Sequence, residues 1–385
     1  LNFCASFSAP SQSRFPLAVI IFKSMYKQIL VIFLLISIPL KSQINNQLLL
    51  GEWLKIKTKM IDGSKDVSEP FLASKFYRWN INNQNICIDS DPISANGKTC
   101  MDFKIEKNFI RTSPQSGYEI VKLTKDSLII IERINGIEEN DKIRKHWFSK
   151  SSLVKNYYID KYKTDSTIVA SENFTPTLNK NFILNILSEF KGKNNYPVFN
   201  LIGNIVFYPK KGNLEVQIIN SNDKDVIKNQ KSIELINSMI EKTYNNWNLS
   251  DFKTFDKVYL PFIIKSYYEN VGDGWSSKGA PIYYFIDNIS DINKIYGIKM
   301  QDLRIADDNF RNGIKAIQDN KYDKAIIFFS KSYEIDNRKV DALYNIANIY
   351  LFKKDFTNEC IYLQKLRDLE QVEGIKRYNE KCTKL

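Results

Sequence analysis

Residues 47–150 alternate apolar and polar side chains in short runs. The opening "LLLGEWLKIK" is followed by "KFYRWNI", "TCMDFKI", "NFIRTS", "GYEIVKL", "DSLIIIER" and "KIRKHWFS". Turn formers separate them, in "DGS", "NNQN", "DPISANGK", "PQSG", "TKDS" and "NGIEEND". A two-residue period marks a strand with one face inward, and many short strands at close spacing predict an up-and-down barrel or a sandwich. "SLIIIER" is apolar on both faces at its centre, which places it deep. The pattern changes over 178–268. "NFILNILSEF" has a helical period, and "GNIVFY" and "GNLEVQIINS" read as strands around the turn "PKKGN". Ile233, Ile236, Met239, Ile240 and Thr243 then form one helical stripe. In "DKVYLPFIIKSYY", Val258, Leu260, Phe262 and Ile264 alternate. The order strand–strand–helix–strand predicts a small α+β layer. Residues 269–302 are too apolar for a free linker and are expected to pack on a neighbour. Residues 303–385 are helical throughout.

The helical part repeats itself. At an offset of 34 residues Phe310 meets Tyr344, Gly313 meets Ala347, Ala316 meets Tyr350, Tyr322 meets Phe356 and Phe329 meets Leu363. This resembles tetratricopeptide repeats, in which a small residue lets the two helices of a repeat touch. Gly313, Ala347 and Ala325 fill small positions. Glu359 stands where Ala325 has its equivalent, with Cys360 expected to shift into the contact. "EQVEGIKRYNEKC" is the expected closing helix. The resemblance implies a concave groove lined by the first helix of each repeat, with Phe310, Ile314, Ile317, Tyr344, Asn345, Asn348 and Phe352 as candidate partner-binding residues. Asn345 alone matches the pattern by which some family members grip a peptide carboxylate. Two repeats and a cap are fewer than usually stand alone, so they are expected to lean on another part of the chain or on a partner.

Two further resemblances carry the fold expectation. Gly51-Glu52-Trp53 at the first strand, with about eight strands over 100 residues, resembles the lipocalin-like domains of bacterial exported proteins. In that family the Trp closes one barrel end under a basic residue of the last strand. The resemblance therefore implies Gly51 and Trp53 at the barrel end, with Arg144 or its neighbour Lys145 over the indole, a cation–π contact worth about 0.5–2 kcal/mol. The segment "YPVFNLIGNIVFYPKKGNLEVQIINSNDKDVIKNQKSIELINSMIEKTYNNWNL" resembles the C-terminal domain of TonB, whose exposed last strand pairs with a partner's extended peptide. Pro261 interrupts that last strand, and a proline belongs at an edge. The fold class expected is thus multidomain: an all-β lipocalin-like barrel (47–150), a small TonB-C-like α+β domain (178–268), a packed connector (269–302) and an all-α tetratricopeptide-repeat segment (303–385).

The start of the chain supplies an address. From Met25, a basic start, an apolar run from Ile29 to Leu40 and a small polar exit make a secretory signal peptide over 25–42. Residues 1–24 read as upstream sequence without a role. The apolar run is shorter than the roughly 20 residues of a spanning helix, and no later stretch is long enough, so the mature chain is expected to have no transmembrane segment. The formal charge is +12, and it becomes about +8 once Arg14, Lys23, Lys27 and Lys41 are removed with 1–42. The lysines are interleaved with acids and form no block, so nucleic acid is not an expected partner. Four cysteines remain, and oxidising export invites pairing. Cys87 and Cys100 flank a turn-rich stretch, and Cys360 and Cys382 lie at nearly equal distances from a helix break near Gln371.

Chemistry is sparse. His146 is the only histidine, no Cys-x-x-Cys or His-containing cluster suggests a metal, and no Gly-rich phosphate loop or nucleophile elbow suggests a cofactor or covalent catalysis. Glu138, Glu139, Asp287 and Asp291 lie in turn-like sequence. The function expected is a non-enzymatic, exported envelope scaffold, periplasmic or secreted, without cofactor. It would bind a protein or peptide in the cell envelope through the repeat groove, with the α+β edge strand as a second surface. The alternative is a carrier holding a small apolar ligand in the barrel.

Overall fold

The computed structural model describes residues 45–67, 76–94, 98–179, 190, 196–272, 275–290, 292 and 300–383. The expected upstream sequence and signal peptide lie outside them, as does "NFILNILSEF" apart from Phe190. A short helix, α1 (Asn46–Leu49), leads into β1 (Gly51–Met60). There follow β2 (Arg78–Ile81), β3 (Asn85–Asp89), β4 (Lys98–Asp102), β5 (Lys104–Glu106), β6 (Phe109–Ser113), β7 (Ser116–Leu123), β8 (Ser127–Ile134) and β9 (Arg144–Lys150). They form one antiparallel sheet in the order β4-β3-β2-β1-β9-β8-β7-β6-β5. Its two ends are consecutive in the chain, with Phe103 alone between them, so the sheet returns on itself as a nearly closed barrel. Trp53, Trp79, Ile81, Ile86, Ile110, Leu128, Ile130 and Phe148 are buried in its core. Cys87 and Cys100 stand opposite each other in the β3–β4 register and are joined by a disulfide. A bulge between Lys55 and Lys57 resets the alternation of β1, so Trp53, Lys55 and Thr58 are all buried while Ile56 is exposed.

Helix α2 (Ser151–Lys161) leaves the barrel for a second sheet. Its strands are β10 (Thr167–Val169), then, after the small pair member β11 (Thr177–Leu178), β12 (Phe199–Tyr208) and β13 (Asn213–Ile218). Helices α3 (Lys224–Lys228) and α4 (Gln230–Glu241) follow. Next come β14 (Trp247–Asn248), paired with β11, and the long β15 (Lys257–Gly272). The sheet runs β10-β15-β12-β13. Ile233, Ile236 and Ile240 of α4 share one core with Leu201, Ile205, Phe207, Val258, Leu260, Phe262 and Ile264.

The open last strand implied by the TonB-C resemblance is not present. The outer edge of β15 is occupied by the chain itself. β10 pairs with Lys257–Tyr259, β17 (Ile282–Tyr284) with Phe262–Ile264, and β16 (Trp275–Gly279) with Tyr267–Gly272. Pro261 sits at the junction where β10 leaves and β17 enters. Its carbonyl accepts from Phe285 N at 2.9 Å. A residue's N and C=O face the same neighbour in a strand, so the missing N–H falls in that gap and the ladder to β12 is intact. Connector residues therefore complete the sheet, and Ile286 and Ile292 pack with Ile263 on the sheet's second face.

Five helices end the chain: α5 (Met300–Gln318), α6 (Tyr322–Ile335), α7 (Val340–Phe352), α8 (Phe356–Asp368) and α9 (Val372–Lys381). A Cβ on Gly313 would lie 2.7 Å from the Phe329 ring, so only glycine allows this approach of α5 to α6. The 34-residue offset recurs in the backbone: Asn320 and Lys354 both turn the chain between helices in the left-handed region, at φ 59° and 57°. At the position equivalent to Ala325, Glu359 itself occupies the contact and is 1% exposed; Cys360 does not replace it. The buried carboxylate is held by the closing helix, through Arg377 Nη2 at 3.1 Å and Lys381 Nζ at 3.0 Å. Beside it Cys360 and Cys382 form the second disulfide, with Cα atoms 5.6 Å apart.

The helices dock on the barrel. Lys65 N donates to Glu370 O at 3.2 Å, Gln371 Nε2 to Lys65 O at 3.1 Å and Val372 N to Ser64 Oγ at 3.0 Å. Val67 packs against the cluster of Val340, Leu343 and Leu366.

Candidate functional site

Docking leaves a cleft of about 930 Å³ between barrel loops and helices. The β1–β2 loop supplies Asp62, Lys65 and Asp66, and the β8–β9 loop supplies Glu139, Asp141 and Lys142. Opposite them stand Phe310 of α5, Asp341, Tyr344, Asn345 and Asn348 of α7, and Glu373 and Arg377 of α9. Helical spacing explains the α7 set: positions 341, 344, 345 and 348 share one face. Of the groove residues expected from sequence, Phe310, Tyr344, Asn345 and Asn348 come together here. Ile314, Ile317 and Phe352 do not line the cleft. Ile317 packs into the α5–α6 core, and Phe352 is 67% exposed with its ring against Tyr322 at 4.9 Å.

Charge in the cleft is unevenly paired. Lys142 meets Glu139 at 3.8 Å, Lys65 meets Glu370 at 3.5 Å, and Arg144 meets Asp66 at 2.6 Å. Arg377 is divided between Glu359 and Asn348 Oδ1. Asp62, Asp141, Asp341 and Glu373 have no ion-pair partner among the described residues. Burial pushes the Tyr344 hydroxyl up to about 12; the Gly374 N–H that it accepts works against this, and Glu373, Asp62 and Asp141 add to it. Three carboxylates from three elements thus act on one phenol.

The barrel end takes shape differently from the expected one. Trp53 is fully buried, and its Nε1 donates to Leu49 O at 2.7 Å. The cation over its ring is Lys150, at 3.9 Å, and Lys150 Nζ also donates to Leu50 O at 2.5 Å. Arg144 and Lys145 are displaced from that role by register: β1 and β9 are antiparallel, so Trp53 faces Lys150 while Met60 faces Arg144 at the far end. Gly51, at φ +108°, lies so close to Lys150 that a Cβ would stand 3.2 Å from Nζ. Lys145 lies over Trp147. Burial opposes the charge on Arg144, but Asp66 and Glu132 outweigh it and raise its pKa.

Within the barrel is a second, smaller cavity of about 240 Å³. Its polar wall holds Lys55, Glu132, Arg144 and His146. His146 is tied on both nitrogens, Nε2 to Glu132 at 3.0 Å and Nδ1 to Thr58 Oγ1 at 2.9 Å. Among the described residues no group of His, Cys, Asp and Glu has the arrangement to hold a metal ion, and no helix is long and apolar enough to cross a membrane. Comparison with family models, with characterised proteins and with solved structures gives no match for this chain.

Proposed function

We propose that the protein is a non-enzymatic, exported scaffold of the cell envelope that binds an extended segment of a partner protein in the cleft between barrel and helices. The observation that carries this reading is the cleft itself. It gathers the aromatic rings of Phe310 and Tyr344, the amides of Asn345 and Asn348, and four carboxylates without ion-pair partners. Rings grip side chains, amides satisfy a peptide backbone, and unpaired carboxylates select cations. The partner segment is accordingly one with a lysine or arginine beside an apolar residue. The two disulfides fit an oxidising compartment, and the tetratricopeptide-like reading of α5–α9 rests on the 34-residue offset in sequence and backbone. Occupation of the β15 edge by β10, β16 and β17 removes that strand as a second docking surface.

A peptide array tests the reading. Peptides pairing a basic with an aromatic or aliphatic residue should be retained by the wild type. Retention should fall with added salt and be lost in the double variant Asp341→Lys/Glu373→Lys. Equal retention of acidic peptides, or unchanged retention by the variant, refutes the cleft as the site. A purely apolar ligand is less well supported for the barrel, because Lys55, Glu132, Arg144 and His146 make one wall of its cavity polar.

A further inference from the structure

One side of the barrel cavity is aromatic, and the charged wall reaches it through Lys55, whose Nζ lies 5.0 Å from the Tyr77 ring centre. Trp79, Tyr77, Tyr118 and Phe148 form this aromatic side, with Trp79 edge-on to Tyr118 at 4.8 Å and tilted against Phe148 at 5.0 Å. Trp79 is 2% exposed, yet its indole N–H has no hydrogen-bond partner among the described residues. Buried donors are almost always paired, so an orphan lining a cavity is a place where a partner belongs. Trp53 is the contrast within the same barrel: equally buried, in register with Trp79 across β1 and β2, it gives its N–H to Leu49 O. Burial also raises the pKa of the Tyr118 hydroxyl, so that group stays a neutral donor. The acceptors on the opposite wall are already engaged: Glu132 by His146 and Arg144, Asp66 by Arg144.

We infer that the barrel cavity is a binding site for a small, planar, uncharged molecule bearing a hydrogen-bond acceptor such as a carbonyl. The ring walls fit a flat face. The orphaned Trp79 N–H requires an acceptor. Among the described residues Lys55 and Arg144 stand against Glu132 and Asp66, a lining that favours neither an anion nor a cation. A cavity of this size is below the range of drug-sized pockets, so the occupant is a single ring. Asp66 and Arg144 line both this cavity and the cleft, so their ion pair is the wall between the two. The inference concerns a site apart from the cleft and survives failure of the peptide reading.

Benzamide and toluene are the probes: the same ring, with and without the acceptor. In protein labelled with ¹⁵N at tryptophan, the Trp79 indole resonance is assigned by its loss in Trp79→Phe. Benzamide should shift that resonance and bind about tenfold more tightly than toluene, the worth of one hydrogen bond to a buried donor. In Trp79→Phe, which keeps a ring and removes the N–H, the advantage should vanish while toluene binding persists. Benzoate should bind no better than benzamide. A Trp79 resonance unmoved by benzamide makes the cavity a water site only and overturns the inference, and so does toluene binding as tightly as benzamide to the wild type.

Discussion

Single side chains decide much of the stability here. Trp53 is fully buried, bonded to Leu49 O and covered by Lys150. Trp53→Ala should lower the unfolding free energy by about 3–5 kcal/mol, measured by urea denaturation, and by more than any substitution of His146. Glu359 makes a different case. Glu359→Ala leaves Arg377 and Lys381 without their buried acid, and the loss should be about 3 kcal/mol, near the low end for a broken buried pair because Lys381 can turn to water. Tyr344 gives a pH signature. Its pKa is raised from 10.0 to about 12, so the stability linked to its neutral form is present below the lower value and drains away as pH climbs to the upper one. The stability gap between the wild type and Tyr344→Phe should therefore narrow between those two pH values. At this scale the chain was half legible. Gly51 and Trp53 could be placed from their own neighbourhood. Their cation could not, because Lys150 is set by strand register a hundred residues away, and one barrel end looks like the other until the antiparallel pairing is known.

At the scale of elements, the helices read more clearly than the second sheet. The 34-residue offset foretold which helices pair, and left-handed Asn320 and Lys354 mark the same turn twice. Lys354 carries a Cβ into a region that glycine occupies freely. Lys354→Gly should leave stability unchanged or raise it by up to about 1 kcal/mol, visible as a small gain in thermal midpoint. The Cys360–Cys382 bridge ties α9 to α8 across 22 residues. Its removal by Cys360→Ser/Cys382→Ser should lower stability by about 3 kcal/mol in the chain-entropy estimate. The same substitution should loosen the grip of Arg377 and Lys381 on Glu359. The covering of β15 was not legible. β10 and β17 are three residues each, too short for any periodicity to register, and β10 pairs in parallel with a partner about ninety residues on. Such pairings are chosen by the need to satisfy an edge, and the sequence carries that need only as Pro261.

At the scale of the molecule, the arrangement that makes the cleft rests on a few main-chain groups far apart in sequence. Ser64 and Lys65 meet Glu370, Gln371 and Val372 across about three hundred residues, mostly through backbone N–H and C=O that every residue possesses. No residue pattern announces such a contact, which is why the α7 face could be foreseen as a groove but its far wall, Asp62 and Asp141, could not. The contact also answers how an array of two helix pairs and a cap holds together: Val67 of the barrel enters its apolar cluster beside Val340 and Leu366. The double variant Ser64→Ala/Gln371→Ala removes two of the three docking hydrogen bonds described above and leaves the barrel core and the disulfides untouched. Local opening is governed by such contacts, so amide hydrogen exchange should speed up in α9 and the α8–α9 turn while β1 and β8 keep their protection. Basic peptides should bind the variant more weakly, since the two walls no longer hold their spacing. Unchanged exchange in α9 would show that the helices stand without the barrel, and that the cleft is held by its own ion pairs instead.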